Sequence, residues 1–323
     1  MSFRYAEYFG AVNVLADLFT EGEQPWVHRF LGEERPAKII LYLGCNVLRT
    51  MHLALTVIDV FQAMRVDFVP MGGPQSCCGA IHFRAGDENA AKKLGERTVR
   101  NFKRFQPEKV VMWCPSCVAT FDRQLSRAID ISLPWEHATQ FIAENFHRLP
   151  PLRPVKRMVA LHRHGGTSRQ DLDAGYARRI LEAIPGLEVI DLPCVAEFGE
   201  HCTSFLREKI GDERFQERIG SLFGQAKQAG ASGVVTIYHS CHREICEQEG
   251  RVGIEVVNYI SLLGEALGIS YEDRFKRFKL AGDVEAIMEE LRLVVQRKGL
   301  DERRARKVLS AEFVKQGSPA PPA

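Results

Sequence analysis

Short unbroken apolar runs alternate along this chain with segments in which apolar positions recur every three or four residues. "AKIILYLG" (37–44) is a run of the first kind and predicts a strand that ends at Cys45. "LALTVIDVFQAM" (53–64) carries Leu53, Val57, Phe61 and Met64 at helical spacing. "VDFVPM" predicts a second strand, which leads into the adjacent pair Cys77-Cys78. Asp87 is placed to cap a helix whose apolar face is Ala91, Leu94, Thr98, Phe102 and Phe105. "EKVVMW" predicts a third strand, ending at Cys114-Pro115-Ser116-Cys117, and "PWEHATQFIAENF" reads as a helix.

After a proline-rich joint, "LPPLRPVKR" (149–157), the order restarts. Strands are expected at "MVALH", "LEVIDLP" and "GVVTIY", and helices at "YARRILEAI", "RFQERIGSLFGQAKQ" and "VVNYISLLGEAL". A shift of 124 residues lays Cys77-Cys78 on His201-Cys202 and "VVMWCPSC" on "VVTIYHSC", so Cys117 falls on Cys241. Two dissimilar landmarks sharing one ungapped offset indicate an internally duplicated α/β unit. The fold expected is therefore α/β, with two tandem Rossmann-like domains at 37–150 and 151–270. Residues 1–36 read as a helical extension and 271–323 as charged helices with a disordered tail, more suited to packing or a partner surface than to catalysis. In each unit the chemically interesting residues follow strands, at the carboxyl ends where open α/β sheets place their sites.

Charge adds little. The net formal charge of +2 exerts no global pull on nucleic acid, and the basic "DERRARK" alternates with acids as a solvated helix face does. No apolar run is long enough to span a bilayer, and the N-terminus, with Arg4, Glu7 and Asp17, lacks the layout of a signal peptide. A cytoplasmic location is expected, without direct membrane insertion. Nine cysteines, an odd count, then point to metal or catalytic roles ahead of a disulfide framework.

Their spacing in the first unit is Cys45, thirty-one residues, Cys77-Cys78, thirty-five residues, Cys114-x-x-Cys117. Structural zinc would use four of the five and draw them from close pairs, of which Cys114/Cys117 is the clear example. A thioredoxin-like redox pair would use two, and unrelated buried thiols would use none. An iron–sulfur cluster accommodates most, because several irons need several thiolates, and adjacent cysteines in one turn can reach different irons. Gly79 lets the backbone turn sharply behind them. This pattern resembles the cysteine-rich CCG domain found in the B-type subunit of heterodisulfide reductase and its relatives, over roughly residues 37–270. The resemblance implies a non-cubane [4Fe-4S] cluster held by Cys45, Cys77, Cys78, Cys114 and Cys117. It also implies sulfur chemistry, disulfide reduction or thiol and persulfide oxidation, with electrons exchanged through a ferredoxin-like iron–sulfur subunit and a flavin-containing subunit. The substrate would be a small disulfide, a thiol or carrier-bound sulfur. The asymmetric motif suggests the sulfur-oxidising version of that complex. Two alternatives remain: an electron-transfer subunit of a lactate, glycolate or glycerol-phosphate oxidising complex, and a non-catalytic, metal-bound scaffold.

The second unit departs from the motif. Gly165 stands where its first cysteine is expected, and only Cys202 and Cys241 keep matching positions. Cys194, Cys202, His239, Cys241 and Cys246 are candidate ligands for zinc or a remodelled cluster, with His162, His164 and His242 nearby, and the alternative is a decayed site whose remaining thiols are simply buried or line a pocket. His82, Arg84 and His201 are catalytic candidates beside the motif cysteines, and Arg49 is a further cation that could face an anionic substrate.

Overall fold

The computed structural model describes residues 3–20, 35–194, 199 and 201–314. After helix α1 (Tyr5–Phe19), the first unit runs β1 (Ile39–Gly44), α2 (Met51–Ala63), β2 (Phe68–Gly72), α3 (Ala80–Arg84), α4 (Glu88–Lys103), β3 (Lys109–Met112), α5 (Pro115–Thr120), β4 (Trp135–His137) and α6 (Ala138–Glu144). The second runs β5 (Arg157–His162), α7 (Ser168–Glu182), β6 (Leu187–Asp191), α8 (Ser204–Ile210), α9 (Asp212–Gln228), β7 (Gly233–Thr236), α10 (His239–Ile245), β8 (Glu255–Asn258) and α11 (Tyr259–Leu267). Helices α12 (Arg274–Ala281), α13 (Val284–Arg297) and α14 (Glu302–Phe313) follow.

Each unit forms its own four-stranded parallel sheet, and the strand orders, β2-β1-β3-β4 and β6-β5-β7-β8, are the same. Every residue of β1 and β7 is buried, as expected of central parallel strands covered on both faces. The chain leaves β1 and β3 for opposite flanks of the sheet, which opens a crevice at their carboxyl ends. Asp87 caps α4 as its position suggested, accepting a hydrogen bond from the Ala90 amide (3.2 Å).

Two expected elements differ. The segments read as continuous helices at 134–146 and 256–267 each begin with a strand, β4 and β8, before turning helical. Three or four residues are too few to display a period of two, and pairing to β3 and β7 settles their conformation.

The units share one core. Helix α11 packs on α2, α6 packs on α7, and Trp113 stacks on Tyr259 with centroids 5.8 Å apart. One apolar cluster runs from Leu41 and Val57 of the first unit to Val234 and Leu263 of the second. Among the described residues, no helix is long and apolar enough to cross a membrane. Residues 315–323, most of the expected tail, lie outside the described part.

Candidate metal centre

Cys45 follows β1, Cys77-Cys78 follows β2 and Cys114 follows β3, so three strand ends deliver the cysteines to one crevice. All five line a single cavity of about 310 Å³. The approach is close. Gly44 adopts φ +76°, and a Cβ there would lie 2.9 Å from Cys114 Cβ and 3.0 Å from Cys117 Sγ. Gly79, at φ +86°, would drive a Cβ to within 2.6 Å of the Ala91 carbonyl, while its own amide donates to Cys77 Sγ (3.4 Å). The turn is braced from behind. Thr98 donates its hydroxyl to the Cys77 carbonyl (2.9 Å), and Tyr42 donates to the Ser76 carbonyl (2.6 Å).

The thiols perturb one another. The contact with Cys45, aided by burial, pushes Cys77 up. Cys78 gains from its hydrogen bond with Cys117, but Cys77 and burial together push it up. Cys114 and Cys78, with burial, raise Cys117. Cys114 goes the other way, held well below the ordinary thiol range by Cys117 and by His239. Five buried sulfurs at one place cannot all ionise without cations among them, which is the service that bound metal performs. The donor set therefore fits a polynuclear, thiolate-ligated group.

The rest of the cavity wall comes from elsewhere in the chain. Tyr8 arrives from α1, Thr203, Ser204, Phe205 and Arg207 from around α8, His239, Ser240, Arg243 and Glu244 from α10, Lys279 from α12 and Glu312 from α14. Five cationic side chains, Arg49, Arg84, Arg207, Arg243 and Lys279, face two carboxylates, Glu244 and Glu312. Arg49 is ion-paired with Glu312, and Arg243 with Glu244 (3.1 Å). Arg84 has no carboxylate partner among the described residues. It stacks over Phe205 (5.1 Å) and donates to the Ser116 hydroxyl (3.4 Å).

Sequence candidates divide by where they point. His82 lies outside the cavity wall, stacked flat on Tyr5 of α1 at 4.0 Å, and burial lowers its pKa. His201 shares a 2.9 Å hydrogen bond with Ser116, and burial brings it down to about 4, so the ring is neutral there. His239 faces the first unit's cysteines, buried and close enough to Cys114 to help hold that thiol down. Cys202 and Cys241 do come together, joined by His162 and His164, with all four ligand atoms within 4.8 Å of one another. Cys194 and Cys246 stay outside that group. Cys194 is exposed, with its sulfur 2.8 Å from where a Cβ on Gly165 would sit. Cys246 is buried beyond the helix, its thiol near the Arg243 carbonyl (3.7 Å). His242 turns to Asp273, 2.6 Å away.

The short helix α10 explains much of this scatter. Successive residues advance about 100° around a helix, so His239, Cys241 and His242 leave one turn in three directions. Likewise Cys246, five positions past Cys241, points well away from it. The spacing of His162 and His164, two apart at a strand end and hence on one side, was the available signal for their meeting. Tyr8, Lys279 and Glu312 carried no sequence signal, because packing of the terminal helices alone brings them to the cavity.

Comparison with known proteins agrees with this architecture. The family described as "CCG: Cysteine-rich domain" matches residues 39–122. One component of the dihydromethanophenazine:CoB–CoM heterodisulfide reductase of Methanosarcina acetivorans is 24% identical over 253 residues, covering 73% of this chain and 60% of that one. A probable glycolate oxidase iron–sulfur subunit of Bacillus subtilis is 22% identical over 277 residues, 79% of this chain and 61% of that one. This chain thus spans about 60% of the length of either relative. In fold, a hypothetical protein from Helicobacter pylori superposes with a TM-score of 0.50 at 9% identity, over 86% of this chain and 57% of that one. Residues 39–122 thus match a cysteine-rich CCG domain, a second α/β unit with the same strand order lies beyond the matched segment, and the chain as a whole is similar to the iron–sulfur and heterodisulfide reductase components named above.

Proposed function

We propose that this protein is the iron–sulfur subunit of an oxidoreductase complex that reduces a disulfide or oxidises a thiol or persulfide. The observation that carries this reading is the convergence of Cys45, Cys77, Cys78, Cys114 and Cys117 on one cavity that also presents cations and a buried histidine, His239. The five thiolates hold a single non-cubane [4Fe-4S] cluster. When bound, such a cluster supplies electrons one at a time and an iron able to take a sulfur ligand.

The chain's own groups do the rest. Arg84, which has no carboxylate partner among the described residues, draws the anionic part of the substrate toward the cysteines, and Phe205 walls its apolar part. His239 stands beside Cys114, placed to give a proton to a departing thiolate or to take one from an entering thiol. Ser116 links Arg84 to His201, tying the second unit to the same pocket. Electrons enter or leave through a ferredoxin-like iron–sulfur subunit and a flavin-containing subunit of the same complex, in the cytoplasm.

The relation to a glycolate oxidase iron–sulfur subunit favours one second reading, in which the cluster only relays electrons. Electron paramagnetic resonance of anaerobically purified protein separates the two. Small thiols or disulfides should shift the oxidised cluster's signal, and His239→Asn should weaken turnover more than binding. A signal indifferent to both, yet reduced by a partner dehydrogenase, would select the relay. Protein that holds zinc but no iron would overturn both readings.

A further inference from the structure

The second unit has lost three of its five cysteine positions, yet its strand ends carry another ligand group. The sheet register aligns Ile39 with Val159, through their partners Lys109 and Gly233, which puts Gly165 at the position of Cys45. In the same register His162 and His164 replace Tyr42 and Gly44. Cys202 and Cys241 stand for Cys78 and Cys117.

We propose that His162, His164, Cys202 and Cys241 bind one zinc ion, in a closed tetrahedral site distinct from the five-cysteine centre. Geometry is the first support. His162 Nε2 lies 3.4 Å from Cys202 Sγ, and His164 Nε2 lies 3.2 Å from Cys241 Sγ and 3.8 Å from Cys202 Sγ. Zinc–sulfur and zinc–nitrogen bonds of about 2.3 and 2.05 Å at the tetrahedral angle give sulfur–nitrogen edges of about 3.6 Å. These three edges match that length, and all four ligand atoms lie within 4.8 Å of one another, compact enough to surround a single ion.

Outer contacts are the second support. Gly199 offers its carbonyl 3.1 Å from His164 Nδ1, which takes that ring proton and turns the Nε2 lone pair inward. The Cys202 amide donates to Cys241 Sγ (3.3 Å), a contact that stabilises a thiolate. Charge is the third. All four residues are buried, and two thiolates with two neutral imidazoles cancel a divalent cation, whereas a lone thiolate there would be an unmatched buried charge.

Four protein ligands leave no open position, so the zinc is structural. It ties the end of β5 and the Cys202 turn to α10, whose other face carries His239 and Ser240 into the first cavity. His162 and His164 are thereby positioning residues for that wall. The site does not depend on the reading of the five-cysteine centre, since zinc and iron are counted separately.

The test is metal analysis and zinc X-ray absorption on the full chain, purified anaerobically from zinc-supplied cells. One zinc per chain is expected, with two sulfur and two nitrogen neighbours, alongside the iron. Cys241→Ser and His164→Gln should each lower zinc about tenfold or more with the iron content retained. Should Cys241→Ser fail to fold, His164→Gln carries the comparison. Zinc below about a tenth per chain, zinc unchanged in His164→Gln, or an all-sulfur shell would overturn the proposal. Iron near eight per chain would do so too, by showing a second cluster in its place.

Discussion

Cys78 and Cys246 are equally buried, but their surroundings differ. Cys78 touches Cys77 and Cys117 at the mouth of three strands, whereas the Cys246 thiol points to the Arg243 carbonyl, outside both ligand groups. Replacing Cys78 by serine is expected to lower bound iron roughly tenfold or more, since a neutral hydroxyl is a poor iron ligand. Cys246→Ser should keep the iron and lose only a little stability, and iron analysis of the two variants side by side checks this. The long spacings and the CxxC pair made the five-cysteine group legible in the sequence, because each cysteine follows a strand whose apolar run is visible. The second group was less legible. His239, Cys241 and Cys246 share a short segment, and only the helix they sit on determines that they face different ways.

Among the elements, the terminal helices have a larger role than their charge pattern suggests. Helix α14 reaches back across the molecule so that Glu312 pairs with Arg49 in the turn after β1, the side chains 19% and 7% exposed. Burial raises the Glu312 carboxyl, but Arg49, Arg243 and Lys279 hold it below the ordinary range. Glu312→Gln leaves Arg49 poorly compensated and should cost roughly 2–3 kcal/mol, the lower end of what breaking a buried pair costs, given the partial exposure of the carboxylate. The double variant with Arg49→Met should recover part of that loss, and unfolding measurements on the single and double variants give the coupling. Such a contact joins residues 263 positions apart, which no local pattern can announce. Strands β4 and β8 were hidden for the opposite reason. Their three or four residues run straight into apolar helices, and only pairing with the neighbouring strand distinguishes them.

At the scale of the whole molecule, three parts meet at one half-buried carboxylate. Asp273, which caps α12, lies 3.3 Å from His52 of the first unit and 2.6 Å from His242 of the second, and also accepts from the Lys276 amide. Burial brings His52 down to about 4, against the attraction of Asp273 and with the help of His242 and the Lys276 ammonium. In the unfolded chain the same imidazole titrates near 6.5. Above that pH neither state binds the proton and His52 adds no pH dependence. As pH falls from about 6.5 toward 4, the unfolded chain takes up a proton that the folded protein refuses, so stability declines, by up to roughly 3 kcal/mol. Melting temperatures measured from pH 8 to 4 on wild type and His52→Gln should therefore differ in slope below about pH 6.5, with the variant the flatter. Parallel curves would show that His52 takes its proton as readily in the folded protein as in the unfolded chain, and that Asp273 outweighs the burial of the junction it holds together.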